Sequence, residues 1–186
     1  WCAARLTPTR MGADAACAAL LQLDPLNHFA RCERYLRGKL RSVQFTALIR
    51  NELPHETFLE LAVWYHGVGL DAEAAKVLDF APPKAEVLYW LAYLRRDTNL
   101  LARAEAASPE FVFPFRRESI PVFQWAAQQH PAWQPEYFLA LIRWNLGDPP
   151  EARRLLAHWA DQPGFAPFYA ARAQLSEDGT LRDLQR

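Results

Sequence analysis

The sequence has little glycine, little cysteine, very little lysine and no net charge, and each shortage excludes a class of protein. Its 186 residues include seven glycines, three cysteines, and three lysines beside eighteen arginines. Lys plus Arg equals Asp plus Glu at 21 each, so no overall positive field is present to attract nucleic acid. No apolar run approaches the roughly 20 residues that a membrane-spanning helix needs. We therefore expect a soluble protein, most simply a cytoplasmic one, that binds neither nucleic acid nor a membrane.

The three cysteines, Cys2, Cys17 and Cys32, are an odd number and show no CxxC spacing. A disulfide framework or a structural zinc site would need cysteines in pairs or in clusters with other ligands. We therefore interpret these cysteines as small buried side chains, and we expect no metal and no other cofactor.

Proline, in contrast, is frequent, and most of the fourteen prolines stand at the edges of apolar-periodic segments. In LGDPPEARRLLAHWA, Asp148 is placed to cap a helix, and Pro149 and Pro150 occupy its first turn, where a missing N–H costs nothing. There is no comparable set of alternating strand segments. The pattern predicts an all-α protein of about twelve helices. The predicted helices cover residues 12–23, 26–37, 41–51, 55–67, 71–80, 84–96, 99–107, 117–129, 135–146, 149–161 and 165–176, with partial helices at both ends.

Three stretches of the chain repeat one arrangement of glycine, small residue and leucine at fixed offsets. A glycine can end a first helix in the left-handed conformation, and the small residue then lets a second helix pack closely against the first. The arrangement therefore predicts antiparallel helix pairs. Its residues are Gly12, Cys17 and Leu21; Gly69, Ala74 and Leu78; and Gly147, Ala152 and Leu156.

The first helix of each pair also carries a Leu-Ala step, which points to a family. These steps are Leu61-Ala62, Leu91-Ala92 and Leu139-Ala140. The full pattern resembles the tetratricopeptide repeat (TPR), a helix-turn-helix unit of about 34 residues. In order along the chain it consists of a bulky residue, Leu-Ala, an aromatic residue, Gly, Ala, then either Leu or Phe, and a closing Ala-Pro. The resemblance implies a right-handed α-solenoid of antiparallel helix pairs, forming one domain over residues 1–186. The intervals between the glycines exceed the family period, so we expect degenerate pairs between them.

A second resemblance concerns the wider protein. Stretches such as LIRNELPHETFLELAVWYHGVGLDAEAAKVL are similar to the helical repeat tails of large uncharacterised bacterial proteins whose front half resembles a sugar-binding β-sandwich. That resemblance implies a scaffold attached to a carbohydrate-directed domain. The sequence begins at Trp1 and not at methionine, and we expect it to be part of a longer chain.

Candidate catalytic motifs fail on their spacing. A zinc peptidase helix needs a second histidine four residues after the first, but the residue four after His55 is Leu59. Glu56 and Glu60 lie one helical turn apart, as an acid–base pair would, but a solvated helix face also accounts for them. No nucleophile elbow or phosphate-binding loop is present. We therefore predict no catalytic residue and no enzymatic activity.

TPR-like proteins bind peptides on a concave surface lined by the first helix of each pair, and the resemblance implies which side chains face that groove. Tyrosine recurs in one register, at Tyr89, Tyr137 and Tyr169. We therefore predict a non-catalytic scaffold that binds a protein or peptide, either another chain or the rest of its own. The predicted groove residues are Leu59, Val63, His66, Tyr89, Tyr93, Arg96, Tyr137, Leu141, Trp144 and Tyr169.

Two other functions are compatible with the same residues. Solvent-facing tyrosine rings also bind sugars, so one alternative is a glycan-binding support module for an adjacent carbohydrate-active domain. The other is a structural spacer or oligomerisation module, in which the tyrosines only pack helices together. Peptide binding predicts that Tyr89, Tyr93, Tyr137 and Arg96 are exposed together, whereas only the spacer remains if these side chains are buried.

Overall fold

The computed structural model describes residues 10–176, which are built from α-helices and contain no β-strand. The all-α prediction is confirmed, and most predicted helices agree with the observed ones to within a few residues. The eleven α-helices in this range are α1 Arg10–Leu23, α2 His28–Leu36, α3 Ser42–Thr46, α4 Pro54–Gly67, α5 Asp71–Leu78, α6 Ala85–Arg95, α7 Thr98–Ala106, α8 Ile120–Gln129, α9 Trp133–Asn145, α10 Pro149–Ala157 and α11 Ala166–Leu175, and a 3-10 turn at Arg117–Ser119 precedes α8. None of them is long and apolar enough to cross a membrane.

Four helices end in the same backbone arrangement, which reverses the chain. A residue just past the helix takes the left-handed conformation, and the next residue donates its N–H to a carbonyl five residues earlier. Glycine holds the left-handed position after α2, α4 and α9, where φ is 72° at Gly38, 77° at Gly69 and 81° at Gly147. After α6 the position is held by Arg96, with φ of 53°. The closing hydrogen bonds run from Lys39 to Arg34 (2.8 Å), Leu70 to Tyr65 (2.9 Å), Asp97 to Ala92 (3.1 Å) and Asp148 to Arg143 (2.9 Å).

The small residues of two sequence repeats lie where the helix pairs cross. Ala74 in α5 and Ala152 in α10 have no exposed surface, and the leucines one turn later, Leu78 and Leu156, are buried as well. The pairs α4–α5, α6–α7 and α9–α10 are the most extensively packed in the described residues. This packing of α4 on α5 and of α9 on α10 is consistent with the predicted helix pairs.

The third repeat differs from the other two. Gly12 lies inside α1, so the expectation that it ends a helix is wrong. Its small residue, Cys17, is fully buried, as predicted, and Leu21 is half-buried. Cys32 is buried as well, whereas Cys2 lies outside the described residues. The spacing of Gly12, Cys17 and Leu21 therefore recurs inside a single helix. Small residues on the buried face of one helix also recur with the helical period, so this spacing alone does not require two helices.

The chain divides into two compact units, residues Trp1–Pro83 and Lys84–Arg186. In the first, a charged group is buried in the core: the Glu33 carboxylate accepts a hydrogen bond from the Tyr65 hydroxyl (3.1 Å) and lies 2.7 Å from Arg37 Nε. In the second, α6 packs on α7 and α8, α9 packs on α8 and α10, and α10 packs on α11. Helices in this unit therefore pack on the next helix or on the one after it, and such short-range packing is typical of stacked repeats.

Replacing the buried alanine at a crossing should separate the helices of the pair. We expect Ala74→Leu to lower the free energy of unfolding by about 1–3 kcal/mol, because a larger side chain has no space between α4 and α5. Ala72→Leu is the matched control, since Ala72 is exposed on the same helix, and it should change the value by less than about 0.5 kcal/mol. Urea unfolding followed by circular dichroism measures both. Equal effects of the two variants would contradict close packing at Ala74.

Candidate functional site

The predicted groove residues divide between the two units and differ sharply in exposure. Four of the ten are buried: Leu59 and Tyr89 at 0%, Tyr169 at 5% and Tyr137 at 6%. The expectation that Tyr89 and Tyr137 are exposed with Arg96 is therefore wrong. Leu59, Val63 and His66 lie on α4 in the first unit, and Tyr89, Tyr93, Arg96, Tyr137, Leu141, Trp144 and Tyr169 lie in the second.

The buried tyrosines are held by specific contacts inside the second unit. The Tyr89 hydroxyl donates to Gln134 Oε1 at 3.0 Å, and its ring packs edge-on against Phe123 and Phe138 at 5.4 and 6.1 Å. The Tyr169 hydroxyl donates to the Pro163 carbonyl at 2.6 Å. Burial raises the pKa of Tyr89 and raises the pKa of Tyr137 to about 12. These tyrosines pack helices together, which is the role that the spacer alternative assigns to them.

One part of the predicted groove does come together, at the end of α6. The Arg96 guanidinium carbon lies 4.3 Å from the centre of the Tyr93 ring and 5.5 Å from that of Trp125 on α8. The two rings meet edge to face at 5.9 Å. Arg96 is exposed, while Tyr93 and Trp125 are half-buried. We call these three residues the Arg96 cluster.

The backbone of Arg96 is in the left-handed conformation, which is uncommon for a residue other than glycine. The left-handed conformation costs a residue with a Cβ roughly 1–2 kcal/mol, and glycine avoids this cost at Gly69 and Gly147. A cation over aromatic rings at an exposed site returns only about 0.5–1 kcal/mol. Stacking on Tyr93 and Trp125 therefore offsets only part of the cost, and the arginine is held in place by the fold around it.

The remaining predicted residues are half-buried and lie on two helices. Val63 and His66 belong to α4, and Leu141 and Trp144 belong to α9. His66 Nδ1 lies 2.7 Å from the Asp71 carboxylate at the start of α5, where it ties the two helices of the pair together. Trp125 is not among the predicted groove residues, since its position on α8 falls outside the repeated pattern.

A buried polar network lies between α6 and the turn before α8. Ser119 Oγ donates to the Glu86 carboxylate at 2.9 Å and accepts from Trp90 Nε1 at 3.0 Å. All three residues have 0% exposed surface, so no substrate reaches them in this conformation. The network positions α6 in the core. In residues 10–176, no three His, Cys, Asp or Glu side chains are grouped to hold a metal ion.

No protein-family model matches the chain, and no curated protein is similar enough to it to count as a relative. The resemblance to tetratricopeptide repeats therefore depends on the residues alone. Among the side chains that the fold brings together at the surface, those of the Arg96 cluster combine a positive charge with aromatic rings.

Ser119 should be needed for stability, because it satisfies two buried polar groups. We expect Ser119→Ala to lower the free energy of unfolding by about 1–3 kcal/mol. Ser108→Ala is the control: Ser108 is exposed, and its hydroxyl only accepts the Glu110 N–H at 3.2 Å. Urea unfolding of both variants measures the difference. A loss at Ser119 no larger than at Ser108 would show that the network does not stabilise the core.

Buried tyrosines should make the protein sensitive to alkaline pH. Unfolded tyrosine ionises near pH 10, whereas the pKa of folded Tyr137 is raised to about 12. Between these values the unfolded state releases a proton that the folded state keeps, so stability is complete below pH 10 and falls as pH rises, by up to about 1.4 kcal/mol per unit for one tyrosine. Tyr137→Phe should reduce this slope in urea unfolding between pH 10 and 12 and leave it unchanged below pH 9. The same slope in both proteins would contradict the burial of Tyr137.

Proposed function

We propose that this chain is a non-catalytic protein- or peptide-binding module, a TPR-like array of antiparallel helix pairs with right-handed coiling, and that it binds a carboxylate group of its partner at the Arg96 cluster. The observation that carries the proposal is an exposed arginine in the left-handed conformation, stacked on Tyr93 and Trp125. The closely packed helix pairs, with small residues at their crossings, support the architecture.

The composition of the cluster supports a binding role. Tryptophan, tyrosine and arginine are the side chains most enriched among the residues that dominate the energy of protein interfaces. Two rings hold the Arg96 guanidinium in place, so less side-chain entropy is lost when a partner binds. A guanidinium offers its N–H groups as a planar fork, which matches the two oxygens of a carboxylate.

The backbone of Arg96 supports the same conclusion. Glycine closes the equivalent turn at Gly69 and Gly147 without a conformational cost. Arginine at this position carries that conformational cost, which its contacts with Tyr93 and Trp125 offset in part. A strained residue that carries an exposed charge and contacts two rings is a candidate for a function that requires its side chain.

A structural spacer is the second candidate function, and the burial of Tyr89, Tyr137 and Tyr169 favours it. Glycan binding has less support, because it depends on those rings facing solvent. Tyr93 and Trp125, the half-buried rings of the Arg96 cluster, are inclined to each other by 74°, so they do not form one flat platform for a sugar.

Replacing Arg96 by glycine should separate stability from binding. We expect Arg96→Gly to leave the free energy of unfolding unchanged or to raise it by up to about 1 kcal/mol, because glycine adopts the left-handed conformation without strain. The same variant should lose at least about tenfold in affinity for a partner peptide, or about 1.4 kcal/mol. Arg96→Lys keeps the charge without the planar fork and should give an intermediate loss.

The probe is a displayed library of random peptides, selected on the wild-type protein. Enriched peptides are synthesised, and their affinities are measured by fluorescence anisotropy for the wild type and the Arg96 variants. Arg103→Ala, which removes another exposed arginine on α7, is the control and should bind as the wild type does. Peptides that carry an acidic residue and need Arg96 would support the proposal. No enrichment, or equal binding to Arg96→Gly, would favour the structural spacer.

A further inference from the structure

The connection between α7 and α8 exposes three phenylalanines at alternate positions. Phe111, Phe113 and Phe115 are 66%, 65% and 51% exposed, whereas Val112 and Pro114 between them are buried. The buried residues anchor the chain, and the three rings stay in water. Phe111 also has a left-handed backbone, with φ of 57°, which strains a residue with a Cβ. Neighbouring exposed apolar side chains of this size mark an interaction surface.

A groove lies between this segment and the start of α11. Its volume is about 530 Å³, within the range of about 300–1,000 Å³ typical of ligand sites. Phe111 and Phe113 line it from one side, and Phe165 and Pro167 line it from the other. Tyr137 also lines it, and the Tyr137 ring packs against Phe165 at 5.8 Å. One side of the groove is therefore fixed to the core of the second unit.

Positive charge flanks the row of rings at both ends. Lys84 Nζ lies 5.7 Å from the Phe111 ring, and the Arg116 guanidinium lies 4.4 Å from the Phe115 ring. Arg117 is exposed next to Arg116. Of the described residues that line the groove, Glu110 alone is acidic. An occupant with acidic residues beside its apolar ones would place carboxylates near these three cations.

We propose that this groove is a second binding site, which takes an extended peptide with aromatic or aliphatic side chains at alternate positions and acidic residues flanking them. Successive side chains of an extended peptide point in opposite directions, so every second one would enter between the phenylalanines and Phe165. The groove shares no residue with the Arg96 cluster, so the two binding proposals can be tested separately.

A membrane surface is the other environment that exposed phenylalanines and cations fit. The shape of the surface favours a peptide. Phe111 and Phe113 line a concave groove, which a flat bilayer does not fill.

The test uses two fluorescein-labelled ten-residue peptides on the whole chain. In one, Phe and Leu alternate with Glu; in the other, Lys replaces every Glu. Fluorescence anisotropy should show that the acidic peptide binds at least about tenfold more tightly than the basic one. Phe113→Ser and Lys84→Glu should each weaken the acidic peptide by about fivefold or more. Because Phe113 is largely exposed, Phe113→Ser should leave the thermal unfolding midpoint unchanged.

Two control variants show whether the peptide binds in this groove or elsewhere on the chain. Arg96→Gly should bind the acidic peptide as the wild type does, and so should Val43→Ser, which removes an exposed apolar side chain in the first unit. Absence of binding, equal binding of both peptides, or indifference to Phe113→Ser would overturn the proposal. Loss of binding in Arg96→Gly would place the peptide at the Arg96 cluster instead. Binding to phosphatidylserine vesicles that depends on Phe113, without binding of the peptide, would assign the surface to a membrane.

Discussion

The helix pairs depend on one backbone event: a residue in the left-handed conformation ends a helix, and a new helix begins within a few residues. At Gly147 the turn is followed directly by Asp148, whose carboxylate accepts the Glu151 N–H at 3.3 Å and caps α10. Asp97 follows Arg96 and caps α7 by accepting the Asn99 N–H at 2.8 Å. Connections of so few residues favour an antiparallel arrangement of the two helices that they join. Small residues at the crossing and aromatic residues between pairs then complete the core.

The sequence determines these events locally, and that is why they were predictable. Glycine, a capping aspartate and prolines in the first turn act through the backbone of their own neighbours, so Gly69, Gly147 and the start of α10 follow from the sequence alone. Helix α3 is shorter than predicted, ending at Thr46. Beyond it, Ile49 donates to the Thr46 carbonyl and Arg50 Nε bonds the Ala47 carbonyl at 2.6 Å. The Arg50 side chain thus bonds a carbonyl that a longer helix would use for its own backbone hydrogen bond. The hydrophobic periodicity of the sequence does not reveal such a contact, so it could not be predicted.

The candidate site was less predictable, because exposure depends on elements distant in sequence. The tyrosine register is real, but α8 brings Phe123 against Tyr89, and α9 provides Gln134 for its hydroxyl. The register of the first helix places Arg96 in the predicted groove, and Arg96 is exposed. Its left-handed backbone has no signal in the sequence, since arginine has no preference for that conformation. Trp125 completes the cluster from α8, the helix that departs most from the repeated pattern.

Departures from local backbone preference fall close to the two surfaces proposed for binding. Three non-glycine residues in the described part of the chain have positive φ: Arg96, Phe111 and Ala160. The first two present an exposed cation and an exposed ring, whereas Ala160 lies in the turn after α10, and its carbonyl accepts a hydrogen bond from Arg172 on α11. Natural proteins concentrate such local conflicts at functional sites.

The most direct measurement of this constraint compares L-alanine and D-alanine at Gly147 in semisynthetic protein, by urea unfolding. Apart from Gly147 and its two chain neighbours, no atom lies within 4 Å of the position that an L-alanine Cβ would take there, so L-alanine meets no steric obstacle from the rest of the fold and its cost reports on the backbone. L-Alanine should lower the free energy of unfolding by about 1 kcal/mol or more. D-Alanine favours positive φ, so it should leave that free energy unchanged or raise it by several tenths of a kcal/mol, roughly as replacing glycine by alanine does where the backbone suits alanine. Equal stability of the two proteins would contradict a left-handed closure and the helix pairing that depends on it.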